Sequence, residues 1–169
     1  MHPIILLIAK DFILLSGLIL VYLFFTLHHR VARVELIKLF LLAAALSLLI
    51  AKLASHFISD PRPFVQGHFT PLLNHSADNG FPSDHTLLAA LIGFVVFCFS
   101  RRLGAAALAI ALLIGLSRMA AGVHHSWDIL GSFIITLLST YLALWVLGLF
   151  NPPAAPRQRP LRRSNDNKA

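Results

Sequence analysis

The chain contains little charge. Asp, Glu, Lys and Arg together make up 12% of its 169 residues, whereas soluble domains average about 25%. Apolar residues make up 57%, and several apolar runs are long enough to cross a bilayer, which takes about 20 residues. This composition excludes an ordinary soluble globule and predicts a single membrane-embedded domain.

Cysteine is almost absent, and so are several common site motifs. The one cysteine, Cys98, lies inside an apolar run. An intramolecular disulfide is therefore excluded, and we expect the thiol to be a small buried apolar group. There is no Walker-type Gly-rich loop, no pair of Cys ligands and no carboxylate cluster in the sequence, which disfavours a nucleotide P-loop or a bound metal. Nor is there a charged segment followed by a small-residue cleavage site, so we expect no removable signal peptide.

Acidic residues are scarce as well, at seven against 14 basic ones, and the net charge is +7. A basic chain can indicate nucleic-acid binding. Here, however, ten of the 14 Lys and Arg residues follow or separate apolar runs, where they act as topology signals. We therefore expect no nucleic-acid partner. The three clusters are Arg30, Arg33 and Lys38; Arg101 and Arg102; and Arg157, Arg159, Arg162, Arg163 and Lys168.

The apolar segments predict an all-α, polytopic membrane bundle with about five transmembrane helices, at residues 12–27, 36–58, 83–100, 103–121 and 127–150. Residues 2–10 are apolar but too few to span, so we expect a separate short interfacial helix there. Residues 1–150 would form the integral-membrane domain. Residues 151–169, which are basic and rich in Pro, would form a disordered cytoplasmic tail.

The basic clusters also predict the orientation. With five spans, all three clusters fall on one side of the membrane, which the positive-inside rule assigns to the cytoplasm. The N-terminus, the polar stretch 59–82 and the turn at 117–128 then share the extracytoplasmic side. In a bacterial inner membrane this is the periplasmic side, and it carries most of the unusual polar residues.

Arg62 is the first candidate site residue on that side. It is flanked by Pro61 and Pro63, which restrict the local backbone and present the guanidinium at little entropic cost. The stretch 59–82 that contains it is too long for a simple turn, which favours a functional role. The alternative is an interfacial Arg that contacts lipid headgroups.

A second candidate segment immediately precedes the third span. Ser83 follows Pro82 and is expected to be the N-cap of the helix. The free N–H groups and the positive dipole end of that first turn can bind an anion. His85 lies in the same turn and can face that anion, although an ordinary helix cap with a hydrated His would give the same pattern.

The third candidate segment combines Arg118, His124 and Asp128 in the turn before the fifth span. His124 and Asp128 are four residues apart, so a helix that begins near Trp127 would bring the carboxylate to the imidazole. A carboxylate on one ring nitrogen fixes the tautomer and makes the other nitrogen more nucleophilic. His125 is the competing candidate, and the spacing favours His124. A polar loop without any chemistry remains the alternative.

Together these segments suit phosphoryl transfer, which needs neutralised oxygens, an aligned nucleophile and an acid for the leaving group. Two Arg side chains supply bidentate donors for phosphate oxygens. A zinc site formed by His85, His124 and Asp128 is the alternative, but two neighbouring Arg residues would repel the cation.

The sequence resembles the type-2 phosphatidic acid phosphatase superfamily, whose site is shared by vanadium haloperoxidases. The resemblance rests on Arg62-Pro63, then Pro82-Ser83-x-His85, then Ser117-Arg118-x5-His124-x3-Asp128. The chain is also similar to the bacitracin-resistance class of undecaprenyl diphosphate phosphatases. This similarity rests on the segments Phe-Pro-Ser-Asp-His and Pro-Arg-Pro-Phe-Val and on the small size of the chain. The resemblance covers roughly residues 10–150.

The resemblance implies a two-step mechanism without metal or cofactor. His124 would attack the terminal phosphorus and carry a phosphohistidine, Asp128 would orient it, and His85 would protonate the leaving lipid phosphate. Arg62, Arg118, Ser83 and backbone N–H groups near Asp84 would hold the phosphoryl oxygens.

The chain departs from the superfamily pattern at two positions. The superfamily Lys, seven residues before the motif Arg, is replaced by Ser55, and Lys52 lies one helical turn earlier and could substitute. Asp84 replaces a Gly, and its role stays open, because a carboxylate beside a phosphate is unfavourable.

The resemblance implies a prenyl diphosphate lipid as substrate and recycling of the cell-wall carrier lipid as the cellular role. The motifs fit a phosphatidic acid or phosphatidylglycerol phosphate phosphatase equally well, because they bind the phosphoryl group common to all. A non-catalytic lipid-binding or transport protein is the alternative from another class. The sequence indicates no oligomeric state.

Overall fold

Six helices make up the protein in a computed structural model that describes residues 2–150. They are α1 (His2–Thr26), α2 (Arg30–Phe57), α3 (Pro63–Gln66), α4 (Asp84–Phe99), α5 (Arg101–Ala120) and α6 (Ser126–Val146). The predicted all-α membrane bundle is confirmed. The basic tail, 151–169, lies outside the described residues, and its predicted disorder stays a prediction.

Four of these helices, α1, α2, α5 and α6, are long and apolar enough to cross a membrane. The shorter α4 has 16 residues, about 24 Å at 1.5 Å per residue. It packs against α1, α2, α5 and α6, and most of its side chains are buried. Its central part, from Thr86 to Val96, is therefore largely enclosed by the other helices.

The separate interfacial helix predicted for residues 2–10 is wrong. Helix α1 runs without a break from His2 to Thr26. No Pro or Gly lies between Pro3 and Gly17 to end it. Lys10 and Asp11, which suggested a boundary, are exposed, while Ala9 on the buried side packs with Ala121 and Val123. The charged pair thus occupies one face of a continuous helix.

The prediction for Cys98 is also wrong, because its side chain is exposed on the outside of the bundle. Its thiol donates to the carbonyl of Phe94 at 3.3 Å. An apolar run predicts membrane burial, but it does not say which side chains face other helices and which face lipid.

The long polar stretch, residues 59–82, packs against one end of the bundle. Leu73 is buried with Ala9, Ala121 and Val123, and the N–H of Leu72 donates to the carbonyl of Ala121 at 3.0 Å. The segment from residue 67 to residue 79, which we call the 67–79 loop, therefore covers the turn between α5 and α6.

That turn is tight because Gly122 has a φ of +77°, which non-glycine residues rarely adopt. A Cβ at Gly122 would also lie 2.6 Å from the ring of Phe69. The glycine thus allows both the chain reversal and the close approach of the 67–79 loop. His124 follows two residues later and is placed beneath that loop.

A candidate phosphoryl-transfer site

The three candidate segments meet at one end of the bundle. This end contains the last turn of α2 and α5 and the first turn of α4 and α6. The side chains of Arg62, Arg118, His124 and Asp128 are all buried there, with at most 5% of each residue exposed. The fold thus brings these residues into one cluster, although Arg62 and Asp128 are 66 positions apart in the sequence.

The His124–Asp128 pair forms as the four-residue spacing predicts. Helix α6 begins at Ser126, so Asp128 lies in its first turn. Its Oδ2 is 3.1 Å from Nδ1 of His124 and accepts from the backbone N–H of His125 at 2.8 Å. The carboxylate is therefore fixed by the helix start and holds the imidazole on one side.

Arg62 contacts the other side of the same imidazole. Its Nη1 lies 3.2 Å from Nε2 of His124. A guanidinium can only donate, so Nε2 must be the acceptor and the ring proton must be on Nδ1, facing Asp128. The two neighbours of His124 thus select one tautomer, in which the lone pair of Nε2 accepts from Arg62.

The electrostatic surroundings keep His124 uncharged. Burial lowers the pKa of His124, and the charges of Arg118 and Arg62 lower it further. The hydrogen bond to Asp128 raises this pKa but only partly offsets the other effects. A neutral imidazole with its lone pair on Nε2 is the form that can attack an electrophile.

His125, the competing candidate, is bound elsewhere. Its Nδ1 lies 3.2 Å from Oδ2 of Asp60, and its backbone N–H is held by Asp128. Asp60 had no role in the sequence-based interpretation. Burial and the nearby Asp128 raise the pKa of Asp60, and His125 offsets part of this rise. Asp60 and His125 thus form a pair behind the His124–Asp128 pair.

Asp60, His125 and Asp128 are also the residues best placed to hold a metal ion. Within residues 2–150 they form the one group of potential ligands whose atoms lie within 4.8 Å of one another. Oδ1 of the buried Asp128 has no hydrogen-bond partner in that part of the chain. However, Nδ1 of His125 is already paired with Asp60, and a proton on Asp60, whose pKa is raised, would serve the same oxygen. The zinc site considered from His85, His124 and Asp128 does not assemble.

Arg62 is largely occupied by protein groups. Its Nε donates to Oδ1 of Asp78 at 2.8 Å, its Nη1 to the carbonyl of Val123 at 3.0 Å, and its Nη2 to the carbonyl of Asn79 at 3.3 Å. The hydrogen bond from Arg62 holds the pKa of Asp78 below its usual range. Arg62 therefore braces His124 and the 67–79 loop as well as supplying positive charge.

Arg118 is the more available cation. It lies in the last turn of α5 and is 3% exposed. Its Nη1 donates to the carbonyl of Ala9 in α1 at 3.3 Å, while its buried Nε finds no partner among the described residues. A buried guanidinium with unused donors can bind an anion with little rearrangement.

Ser83 occupies the N-cap position of α4, as predicted, but its hydroxyl does not cap the helix. Instead, Ser83 Oγ accepts from Oγ1 of Thr86 at 3.1 Å. The side chain is fully buried, and its backbone N–H points to the carbonyl of Asp128 at 3.4 Å. The first turn of α4 is thus tied to the first turn of α6, and its own N–H groups remain free of a side-chain cap.

His85 is half-buried in that first turn. The charged and titratable groups that act on its imidazole are Arg118, Asp84, His124 and His75. It therefore lies near the His124 nucleophile candidate and Arg118. His75, from the 67–79 loop, was not singled out from the sequence. The length of the stretch 59–82 and the His75-x-x-Asp78 spacing were the signals that could have drawn attention to it.

Lys52 and Asp84, the two departures from the family pattern, are both exposed. They line a cavity of about 420 Å³ between α2 and α4 that also reaches Arg62. Its lining also contains apolar side chains, among them Leu48, Ala51 and Leu87. Lys52 and Asp84 thus lie at the opening of the site, and their roles stay predictions.

Comparison with known proteins identifies the family. The sequence model of the PAP2 superfamily matches residues 36–151. The chain belongs to the PAP2 superfamily. It is a multi-pass membrane hydrolase of that superfamily, and the resemblance seen in its motifs is confirmed.

Several PAP2 relatives carry descriptive names. The chain is 30% identical over 148 residues to the "Bacitracin transport permease protein BcrC" of Bacillus licheniformis, covering 86% of this chain and 71% of the relative. It is 36% identical over 93 residues to "Undecaprenyl-diphosphatase BcrC" of Bacillus subtilis, covering 55% and 48%. In addition, it is 32% identical over 132 residues to "Putative undecaprenyl-diphosphatase YbjG" of Escherichia coli, covering 78% and 66%.

A solved PAP2 structure shares the fold. It is the crystal structure of a transmembrane phosphatidylglycerolphosphate phosphatase of the PAP2 type from Bacillus subtilis. The TM-score is 0.57 at 26% sequence identity, over 89% of this chain and 76% of that one.

Proposed function

We propose that this PAP2 protein hydrolyses undecaprenyl diphosphate to undecaprenyl phosphate and inorganic phosphate on the extracytoplasmic face of the bacterial inner membrane. There it would recycle the carrier lipid of cell-wall synthesis. The observation that carries the proposal is His124, a buried imidazole held on one side by Asp128 and on the other by Arg62.

In the first step, Nε2 of His124 attacks the terminal phosphorus of the diphosphate. A nitrogen–phosphorus bond forms while the bond from that phosphorus to the bridging oxygen breaks. His85 donates its proton to the leaving oxygen, and undecaprenyl phosphate departs. Asp128 keeps the Nδ1 proton in place and stabilises the positive charge that develops on the imidazole.

In the second step, water attacks the phosphohistidine. His85, now neutral, accepts a proton from that water, the nitrogen–phosphorus bond breaks, and inorganic phosphate leaves. Throughout both steps Arg118, Arg62 and the first turn of α4 would stabilise the charge on the three equatorial oxygens. Arg118 contributes most directly, because its donors are the least occupied.

The cavity between α2 and α4 supports a lipid substrate. Its lining combines the cationic side chains of Lys52 and Arg62 with apolar side chains of both helices. A prenyl chain can stay in the bilayer while its diphosphate reaches the buried site. The relatives named as undecaprenyl-diphosphatases support this choice of lipid.

A second candidate substrate is phosphatidylglycerol phosphate, because the solved relative is named for that activity. A transport role, suggested by the name of one relative, is less well supported, since transport has no need for a buried His–Asp pair between two cations. The same assay separates these functions.

The deciding experiment measures phosphate release by the purified protein in detergent from undecaprenyl diphosphate, phosphatidic acid and phosphatidylglycerol phosphate. The expected result is a kcat/KM for undecaprenyl diphosphate at least about tenfold above the others, a difference of about 1.4 kcal/mol in transition-state binding. A preference for phosphatidylglycerol phosphate would assign the second function, and no hydrolysis of any lipid would contradict both. The assay is repeated with excess chelator, where activity should persist. Loss of activity that added divalent metal restores would instead place an ion at Asp60, His125 and Asp128.

The activity should also depend on pH in a defined direction. Only neutral His124 can attack, so the acidic limb of kcat/KM rises as the pH rises through the His124 pKa, whereas the proton that His85 must donate sets a separate basic limb. Burial holds this pKa below its usual value near 6.5, so the acidic limb is expected below pH 6.5. A kcat/KM profile whose acidic limb is centred above pH 7 would contradict a buried neutral nucleophile.

A further inference from the structure

A third imidazole, that of His75, faces the candidate site from the 67–79 loop. Its ring packs edge-on against the ring of His124, with the centroids 6.2 Å apart and the planes at 80°. The position is fixed, because Leu73 is buried and the N–H of Leu72 is bound to Ala121. His75 is therefore held against the nucleophile candidate by the packing of its own loop.

One nitrogen of His75 has no partner. Its Nδ1 is buried and makes no hydrogen bond to any described residue. The closest carboxylate oxygen, Oδ1 of Asp78, is 4.0 Å away, which is beyond hydrogen-bond distance. Buried polar atoms are normally satisfied, so this nitrogen lacks the hydrogen-bond partner that a small movement of the ring toward a bound anion could supply.

The surroundings of His75 favour an anion. Burial and the positive charges of Arg62 and Arg118 lower the pKa of His75, which favours the neutral form of its imidazole. Arg62, Arg118 and His85 face the same pocket, and Asp78 is the acidic group beside it. The negative charge of Asp78 is already paired with Arg62. The remaining charge around His75 is therefore positive.

The proposed mechanism assigns no role to His75, but it places the substrate close to this side chain. A phosphorus in line with Nε2 of His124 must lie within about 3–3.5 Å of that nitrogen, next to the ring on which His75 packs. The three oxygens of the transferred group are met by Arg118, Arg62 and the start of α4. A diphosphate brings two further charged oxygens on its second phosphate, and these need a donor of their own.

We propose that His75 contacts the substrate and determines specificity, by donating an Nδ1–H hydrogen bond to the second phosphate of a diphosphate. This inference rests on the proposed function, because it refines the choice between diphosphate and monophosphate lipids. A monophosphate ester such as phosphatidic acid has no second phosphate, so it gains little from His75.

The test compares two matched variants. His75→Phe keeps a ring against His124 and loses the donor, whereas His75→Asn keeps an amide N–H close to the position of Nδ1. His68→Asn is the control, because His68 is exposed in the same loop and its φ of 50° is one that Asn tolerates. The kcat and KM of each are measured with undecaprenyl diphosphate and with phosphatidic acid.

For His75→Phe we expect kcat/KM to fall roughly 10- to 100-fold with the diphosphate, as for a lost hydrogen bond to a charged group, and about threefold or less with phosphatidic acid. His75→Asn should retain most of the diphosphate activity, and His68→Asn should match the wild type. An equal loss on both lipids, or no loss on the diphosphate, would overturn the role of His75.

A second measurement applies even if a variant is unstable in detergent. Inorganic pyrophosphate and inorganic phosphate are compared as inhibitors of the wild type, His75→Asn and His75→Phe. The wild type and His75→Asn are expected to bind pyrophosphate more tightly than phosphate, and His75→Phe is expected to lose most of this preference. Equal inhibition of the wild type by the two anions, or an unchanged preference in His75→Phe, would count against the proposal. A wild type that hydrolyses no diphosphate lipid refutes the proposed function itself, whereas a wild type that does so with unchanged His75→Phe specificity refutes only this inference.

Discussion

Replacing His124 by alanine is expected to abolish phosphate release, with a loss of about 10⁴- to 10⁶-fold in kcat, because loss of a nucleophile removes the covalent route altogether. The buried position of His124 between Asp128 and Arg62 leaves no other group with a free lone pair in that place. The measurement is single-turnover phosphate release from undecaprenyl diphosphate, combined with acid and alkaline quenching. The wild type should yield a phosphoprotein that survives alkali and decays in acid, as phosphohistidine does, and His124→Ala should yield none.

His125→Ala is the matched control for this prediction. It removes the neighbouring imidazole, which is paired with Asp60 outside the His124 contacts. The backbone N–H that binds Asp128 stays in place. Activity within about tenfold of the wild type is expected, as for a residue that only supports the site. If His125→Ala were inactive while His124→Ala released phosphate normally, the assignment of the nucleophile would have to be reversed.

The second large effect is expected for Asp128→Asn, with kcat about 10²- to 10⁴-fold lower and KM little changed. The amide can present its N–H to Nδ1 of His124, which would move the ring proton to Nε2 and hide the lone pair from phosphorus. Losing the carboxylate also removes the interaction that raises the His124 pKa, so the residual activity should extend to lower pH. The loss of activity and its extension to lower pH are both measured from the pH profile of kcat/KM.

Asp60→Asn is the control for the charge behind this pair. It keeps a polar group beside Asp128 and His125 but removes the second carboxyl. A loss of about tenfold or less is expected, since Asp60 touches neither His124 nor the substrate. Equal losses for Asp60→Asn and Asp128→Asn would mean that the two carboxyl groups act as one unit, and Asp128 would then not be the sole carboxylate that orients His124.

The convergence of Arg62, His85, Arg118 and His124 could be predicted from sequence because each residue lies at the end of an apolar segment. The alternation of spans places such ends on a defined side of the membrane, and only one bundle end collects all four. The His124–Asp128 contact followed in the same way from helical spacing. These features depend on local periodicity, which a sequence displays directly.

His75 and Asp60 could not be assigned from the sequence for a physical reason. Both lie in the irregular stretch between α2 and α4, where position depends on tertiary contacts such as Leu73 packing on Ala9 and Asn79 binding the carbonyls of Ser55 and Ile58. No short-range pattern encodes those contacts. The division of α1 into two segments failed differently, because a charged pair was taken for a helix end although it lies on one exposed face.

The hydrogen bond from Arg118 to the carbonyl of Ala9 makes the first helix a wall of the candidate site. The superfamily match begins only at residue 36. The matched region is therefore shorter than the part of the chain that forms the candidate site. A chain trimmed to the matched portion would remove the carbonyl that Arg118 binds and one of the residues on which Leu73 packs. Substitutions in the first thirty or so residues are therefore expected to change the affinity of the proposed site for phosphate, although they lie outside every signature motif.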